Sequence, residues 1–265
     1  MSQSILLDAV MKILVIPDCQ VKDGVNTDHL LHIGQYIVEK QPDVIVHIGD
    51  FADMPSLSSY DVGKKSFEGR RYTKDVVAAQ EAMGKMLFPL AALQYRQEVN
   101  KKKVYRPRMV LTLGNHEERI NRAVNNDPKL EGLVHIRDLG YETYGWEVVP
   151  FLKPIIIEGV AFSHYFVTGT AGRPAATANA QLNKKHMSCV AGHQQGLQIA
   201  TAHRADGARL TSIIAGSCYT HEEDYLGEQG NIHWRGVLML HEVKDGEFDL
   251  MPVSLNYLKR KYGKE

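Results

Sequence analysis

An α/β fold is predicted for this chain of 265 residues by three observations. In the first half, short apolar runs rich in Val and Ile alternate with longer segments whose apolar residues recur at helical spacing. Residues 12–50 read strand, helix, strand, a βαβ unit that implies a right-handed crossover and parallel pairing. From residue 188 onward, short apolar runs are separated by the hairpin signals Asp206-Gly207 and Asp245-Gly246, so this half is expected to be an antiparallel or mixed sheet.

The first strand runs from Lys12 to Asp18, and Met11-Lys12-Ile13 reads as a natural start, which makes residues 1–10 an appended leader or a short helix. Leu30, Leu31, Ile33, Ile37 and Val38 mark a helix between Asn26 and Glu39, and Asp43 to Ile48 form the second strand. His29 and His32 on that helix are given no function. Residues 54–71 read as a polar loop, and residues 73–99 as a long helix interrupted or kinked near Pro89, which has no N–H to donate. Arg96, Lys101, Lys102, Lys103, Arg106 and Arg108, with Tyr95 and Tyr105 between them, follow it. They fit either a phosphate grip or a solvated helix end whose cations favour the dipole.

Met109 to Leu113 form a buried strand that stops at Gly114-Asn115-His116-Glu117, and a short helix continues to Asn125. Residues 146–149, 154–157 and 159–164 read as paired strands with a tight turn at Glu158-Gly159. Residues 168–174 form a small-residue loop with Pro174 at the expected start of an Ala-rich helix to Lys185; its free N–H groups and Arg173 suit either a phosphate cradle or a plain flexible loop. Strands follow at 188–191, 197–202, 209–215, 236–243 and 248–253. Between them, residues 216–235 form a polar loop carrying Tyr219, His221, Glu222, Glu223, Asp224, Tyr225, His233 and Trp234, either a second metal point at His221 or a solvated acidic loop. The tail from Lys259 to Lys264 is expected to fray.

Composition narrows the function classes. With 31 basic and 31 acidic residues the chain lacks the positive bias of a general polyanion binder, so any nucleic-acid contact needs a local patch. No run approaches the eighteen or so apolar residues of a membrane span, and no secretory leader is recognisable, so a cytoplasmic protein without membrane contact is expected. Cys19, Cys189 and Cys218 form no paired motif, which favours a reduced setting, with Cys19 a small buried residue.

Strand ends carry the chemistry. Asp18, Asp50, Asn115-His116, His164 and His193 each follow an apolar run, and ligands of open α/β sheets bind beyond the carboxyl ends of strands. One Asn-His pair after a strand is ordinary turn chemistry. Asp, Asn and His groups arriving from separate strands are what one or two divalent cations require. In order, Asp18-Cys19-Gln20, Gly49-Asp50 with Asp53, Gly114-Asn115-His116-Glu117, His164 and Gly192-His193-Gln194-Gln195 resemble the five blocks of the calcineurin-like metallophosphoesterase superfamily. Gln20 and Gln195 depart from the pattern, because the family usually writes histidine at both positions. The Gly-Asn-His-Glu-Glu-Arg layout, with Gly169 to Arg173 after His164, also resembles members carried by bacteriophages.

The resemblance implies a four-layer α/β/β/α sandwich of two mixed sheets flanked by helices, here one domain over residues 1–265 with an insert at about 54–107 overhanging the site. It implies that Asp50 bridges two metals, that Asn115, His164 and His193 complete the second, and that Asp18 holds the first beside Gln20 and Gln195. Amides in place of two imidazoles should weaken Zn²⁺ and favour Mn²⁺ or Mg²⁺ there, so one or two ions are expected, Mn²⁺ first, with Mg²⁺, Fe or Zn²⁺ as the other choices. His116 would assist the leaving group with Asp53 orienting its ring, while Asn115, Arg119 and Arg173 would contact the phosphate. The implied activity is hydrolysis of a phosphoester by a metal-activated hydroxide. The large insert, the basic cluster and the Trp234 loop favour a nucleic-acid or nucleotide phosphodiester. The alternatives are a phosphomonoesterase, or a binding scaffold that kept the fold and lost the chemistry.

Overall fold

The chain forms its strands where apolar residues can be covered on both faces, and this explains runs that are apolar throughout instead of alternating. A computed structural model describes residues 10–223 and 226–263. The expected leader at 1–9, Asp224 and Tyr225 of the polar loop, and Lys264 lie outside the described residues. In β1 (Met11–Ile16), Ile13 and Val15 point to the space between two sheets, while Leu14 and Ile16 point to an outer layer of helices.

The first sheet has six strands in the order β11 (Glu247–Ser254), β10 (Gly236–Lys244), β1, β2 (Val44–His47), β3 (Arg108–Thr112) and β4 (Glu147–Val149). From β1 to β4 pairing is parallel, and β10 joins β1 antiparallel. The second sheet has five strands, β5 (Ile155–Ile157), β6 (Val160–Ser163), β7 (Cys189–Ala191), β9 (Arg209–Ala215) and β8 (Leu197–His203), again mixed. Val15, Val46 and Val110 meet Phe162, Val190 and Ile213 between the sheets. On the outside of the first sheet lie α1 (Asp28–Lys40) and α2 (Tyr72–Val99), α3 (Glu118–Asn126) follows the turn after β3, and Gln181 of α4 (Ala178–Lys185) donates to Ser212 Oγ on the second. Two mixed sheets flanked by helices are therefore present. The register Ile16↔His47 and His47↔Leu111 brings the ends of β1, β2 and β3 out at one edge, where Asp18, Asp50 and Asn115 follow.

Several expectations are corrected. β4 is not paired with β5; it extends the first sheet beside β3, while β5 and β6 make the hairpin. β10 and β11 likewise cross to the first sheet. α2 runs unbroken through Pro89, and Gly34 of α1 lets the two helices touch, since a Cβ there would sit 2.1 Å from the Met86 carbonyl. By length and composition alone α2 also has an 18-residue window apolar enough to cross a membrane; it escapes a count of continuous apolar runs because polar residues interrupt it, and its buried residues pack into the core with α1. α4 starts at Ala178 with Thr177 as its cap, not at Pro174, which instead bridges Val167. The tail does not fray up to residue 263: α6 (Leu255–Tyr262) buries Leu255 and Leu258, and Tyr262 donates to Glu39 at 2.7 Å. Between β9 and β10 a single turn, α5 (Gly227–Gly230), interrupts the polar loop.

Candidate metal centre

Close backbone packing builds the site. Cys19 and Gln20 donate from their backbone N–H groups to the Asp50 carbonyl at 3.0 and 2.9 Å, and Asp53 N donates to Val21 O at 2.8 Å, so the loops after β1 and β2 run together. Gly114 has to be glycine, because a Cβ would lie 2.0 Å from Asp50 Oδ1. A Cβ on Gly192 would lie 2.4 Å from Asp18 Oδ1. Glu117 ties the loops together. Its fully buried carboxylate accepts from Asp50 N, Ala52 N, Gly114 N and the Tyr141 hydroxyl at 2.9 to 3.1 Å.

At this edge the lone pairs converge. His164 Nδ1 lies 2.8 Å from the Ile48 carbonyl and donates its proton there, so in the neutral ring Nε2 presents a lone pair. That nitrogen faces Asn115 Oδ1 at 2.8 Å and Asp50 Oδ2 at 3.3 Å, both acceptors. His193 Nδ1 lies 2.8 Å from the same Asn115 oxygen. Ligand atoms of Asp50, His164 and His193 all fall within 4.8 Å of one another. A carboxylate oxygen, an amide oxygen and two imidazole nitrogens, each able to present a lone pair, meet in one buried space, so these residues fit a divalent metal.

The electrostatics agree. Burial disfavours a charged His164, yet the Asp50 carboxylate outweighs it and lifts the ring to about 9; a proton here partly does what a cation would. Burial pushes Asp50 up, but His116 and His164 hold it well below the usual carboxylate range. His193 is pushed down to about 4 by burial and by His164, which keeps it a neutral donor. Asp18, fully buried and repelled by Asp50, rises to about 7 even though His164 opposes the rise, and a divalent cation would relieve that repulsion.

The two glutamines flank Asp18. Gln195 donates from Nε2 to Asp18 Oδ2 at 3.4 Å and to the His193 carbonyl at 3.3 Å, while its Oε1 is buried without a hydrogen-bond partner. Turning the amide over would offer that oxygen to the Asp18 side instead. Gln20 is buried with φ of 44°, directly after Cys19.

His116 stands beside this cluster. Its Nδ1 lies 2.7 Å from Asp53 Oδ1, and Nε2 faces Asp50 Oδ2 at 3.7 Å. Burial opposes charge on the ring, but Asp50 and Asp53 together raise it above its ordinary value. Asp53 is thus in contact with His116.

Other candidates are engaged elsewhere. Arg119 borders the site but is taken up by it: it donates to Asp53 O at 2.7 Å and Oδ1 at 3.2 Å, and its Nη2 lies 3.2 Å from His116 Nε2. Arg173 lies exposed in the loop before α4. The cradle of free N–H groups at that helix is filled, since Ala180 N donates to Thr177 Oγ1 and Ala178 N to Gln198 Oε1. The basic cluster sits at the opposite edge of the sheet: Tyr105 donates to the Pro42 carbonyl just before β2, and Arg108 opens β3. His221 pairs with Glu223 at 2.7 Å, and among the described residues only Asp50, His164 and His193 group as potential metal ligands. Sequence reasoning assigned nothing to Glu117, Tyr165 or Arg122. Tyr165 packs its ring 4.9 Å from that of His193, and Arg122 donates to the Asn115 carbonyl at 2.6 Å. A carboxylate in an otherwise Gly-Asn-His turn was the one available signal for Glu117.

Comparison with known proteins bears on the same residues. Among solved structures the chain is similar to a dimetal phosphatase from Danio rerio, with 12% identity over 94% of this chain and 97% of that one and a TM-score of 0.39. It is also similar to TT1561 of Thermus thermophilus, with 7% identity over 92% and 99% and a TM-score of 0.33. No curated protein matches. The family model for calcineurin-like phosphoesterases matches residues 11–199, a span that starts at β1 and takes in Asp18, Asp50, Asn115, His164 and His193. The chain therefore belongs to the calcineurin-like phosphoesterases, metal-dependent hydrolases of phosphoesters.

Proposed function

We propose that this chain hydrolyses a phosphodiester of a nucleic acid or nucleotide, with Mn²⁺ as its preferred metal and His116 assisting the leaving group. The observation that carries the reading is the convergence of Asp50 Oδ2, Asn115 Oδ1, His164 Nε2 and His193 Nδ1, four atoms that can each present a lone pair to one cation. Divalent cations bound there supply charge against the phosphoryl oxygens and acidify water. Asp50, Asn115, His164 and His193 would hold one ion; Asp18, with Gln20 and Gln195, would hold a weaker one that prefers Mn²⁺ or Mg²⁺.

The protein's own residues orient and protonate. Asp53 fixes the His116 ring through Nδ1, while Nε2, which lies 3.2 Å from Arg119 Nη2, is the nitrogen that would give a proton to the departing oxygen. Glu117 keeps the Asp50 and Gly114 backbones in register, so that the Asp50 carboxylate and His116 keep their spacing. The diester reading is supported by how the nearby guanidiniums are used. Arg119 is bonded to Asp53 and Arg122 to the Asn115 carbonyl, so neither is wholly free to neutralise the extra charge of a monoester dianion. The insert reaches the site at Met54, whose carbonyl lies 3.4 Å from Arg119 Nη1.

The test is turnover of bis-p-nitrophenyl phosphate against p-nitrophenyl phosphate by stripped protein given Mn²⁺, Mg²⁺ or Zn²⁺. Turnover of the diester, strongest with Mn²⁺, is expected. Turnover of the monoester alone would make it a phosphatase, and none with any metal would leave a binding scaffold.

A further inference from the structure

The residue that orients a catalytic imidazole needs support of its own, and in this chain that support comes from far along the sequence. Asp53 Oδ1 faces His116 Nδ1 and Arg119, while Asp53 Oδ2 lies 3.2 Å from Lys22 Nζ. Lys22 Nζ in turn lies 2.6 Å from Glu223 Oε1, 201 residues away. That same oxygen lies 2.7 Å from His221 Nε2. The His221 ring stacks on Tyr219 at 4.6 Å, and Arg235 lies over Tyr219 at 4.8 Å. A line of polar contacts thus runs from His116 through Asp53, Lys22 and Glu223 to His221, in the loop between β9 and β10.

The carboxylates on either side of Lys22 are nearly buried, with side chains 9% and 7% exposed, so a single ammonium balances two charges that water screens poorly. Backbone geometry leaves Lys22 little choice of place. Val21 N donates to Phe51 O and Asp53 N to Val21 O, both at 2.8 Å, which sets Lys22 directly beside Asp53.

The geometry points to Lys22 as a positioning residue for His116, acting through Asp53, with Glu223 coupling the 216–235 loop to it. This rests on the reading of His116 as the group that assists the leaving oxygen. Neither residue touches a proposed metal ligand through its side-chain contacts, so the effect belongs to ring geometry and not to metal loading.

The test uses the full-length protein loaded with Mn²⁺ and bis-p-nitrophenyl phosphate. Lys22→Met should lower kcat by about tenfold, the scale of a misplaced catalytic group, with KM changed by less than about twofold and metal content unchanged. Lys22→Arg should restore most of the loss. Glu223→Gln should cost less, and should add nothing in the Lys22→Met background, because the two act as one unit. The downfield proton resonance of His116 Nδ1, recorded with diamagnetic Mg²⁺ in place of Mn²⁺ and assigned by its loss in His116→Asn, should move in Lys22→Met and return in Lys22→Arg. A rise in KM alone would make Lys22 a substrate contact; unchanged kcat and an unmoved resonance, or additive losses, would overturn the proposal. If Lys22→Met does not fold, Glu223→Gln carries the same readouts. A wild-type protein inactive on every phosphoester would sink the hydrolase reading, and the resonance alone would then decide the positioning.

Discussion

Glu117 shows how a single carboxylate can govern a site it does not enter. Each of its oxygens accepts two hydrogen bonds; three of the donors are the backbone N–H groups of Asp50, Ala52 and Gly114, and the fourth is the Tyr141 hydroxyl. Glu117→Gln would point an amide NH₂ at N–H donors, losing two charge-assisted bonds and leaving buried donors unpaired. The expected cost is about 3 kcal/mol in urea unfolding, together with loss of turnover. A change below about 0.5 kcal/mol would show the clamp to be dispensable. His116→Asn should behave in the opposite way, lowering kcat by about 10²–10⁴-fold while stability and bound metal stay as they were. The two variants separate a group that builds the site from one that acts in it. Of these two residues only His116 could be read from sequence, because a histidine after a strand end advertises chemistry, whereas a buried glutamate announces itself only through partners as distant as Tyr141.

At the scale of elements, the legible features were those encoded locally. Apolar runs that end at Asp18, Asp50, Asn115, His164 and His193 mark β1, β2, β3, β6 and β7, and the helical spacing of Leu30 to Val38 marks α1. What could not be read was decided by distant partners. β4 chooses β3 over β5 because β3 offers an open parallel edge, and α6 is ordered by Leu255, Leu258 and the Tyr262–Glu39 bond despite its charged sequence. The basic residues after α2 looked ready for phosphate, but the strand direction sends them to the edge away from Asp50. The strand-end loops meet so closely that glycine is mandatory, and this is testable. Gly114→Ala would drive a methyl into Asp50 Oδ1 and should reduce turnover by about a hundredfold, the effect of misplacing a catalytic group by an ångström, with less metal retained. Gly169→Ala, in open space without a positive φ, is the matched control and should leave turnover, measured by the same ester assay, unchanged.

Across the whole molecule, acid sensitivity should be set partly by a histidine with no part in the chemistry. His29 on α1 lies 2.9 Å from the Cys218 carbonyl through Nε2, while its Nδ1 is buried without a hydrogen-bond partner. Protonating Nδ1 would therefore bury a charge that nothing meets. Burial outweighs the help of the Cys218 carbonyl and pushes His29 down to about 4 from its ordinary 6.5. In the unfolded chain the ring takes up a proton as pH falls through about 6.5, whereas in the folded protein it does so only near 4. The unfolded state thus binds more protons across that window, and stability must fall as pH drops from about 6.5 to 4, then level off for this group. By pH 5 the loss from His29 should reach about 2 kcal/mol. Urea unfolding at pH 7.5 and pH 5, with chelator present at both so that metal release does not contribute, measures it. His29→Gln should be less stable at pH 7.5 than the wild type yet lose about 2 kcal/mol less between the two pH values. Equal losses in the two proteins would mean that His29 is not held neutral by the fold, and that the α1 contact with Cys218 tolerates the imidazolium.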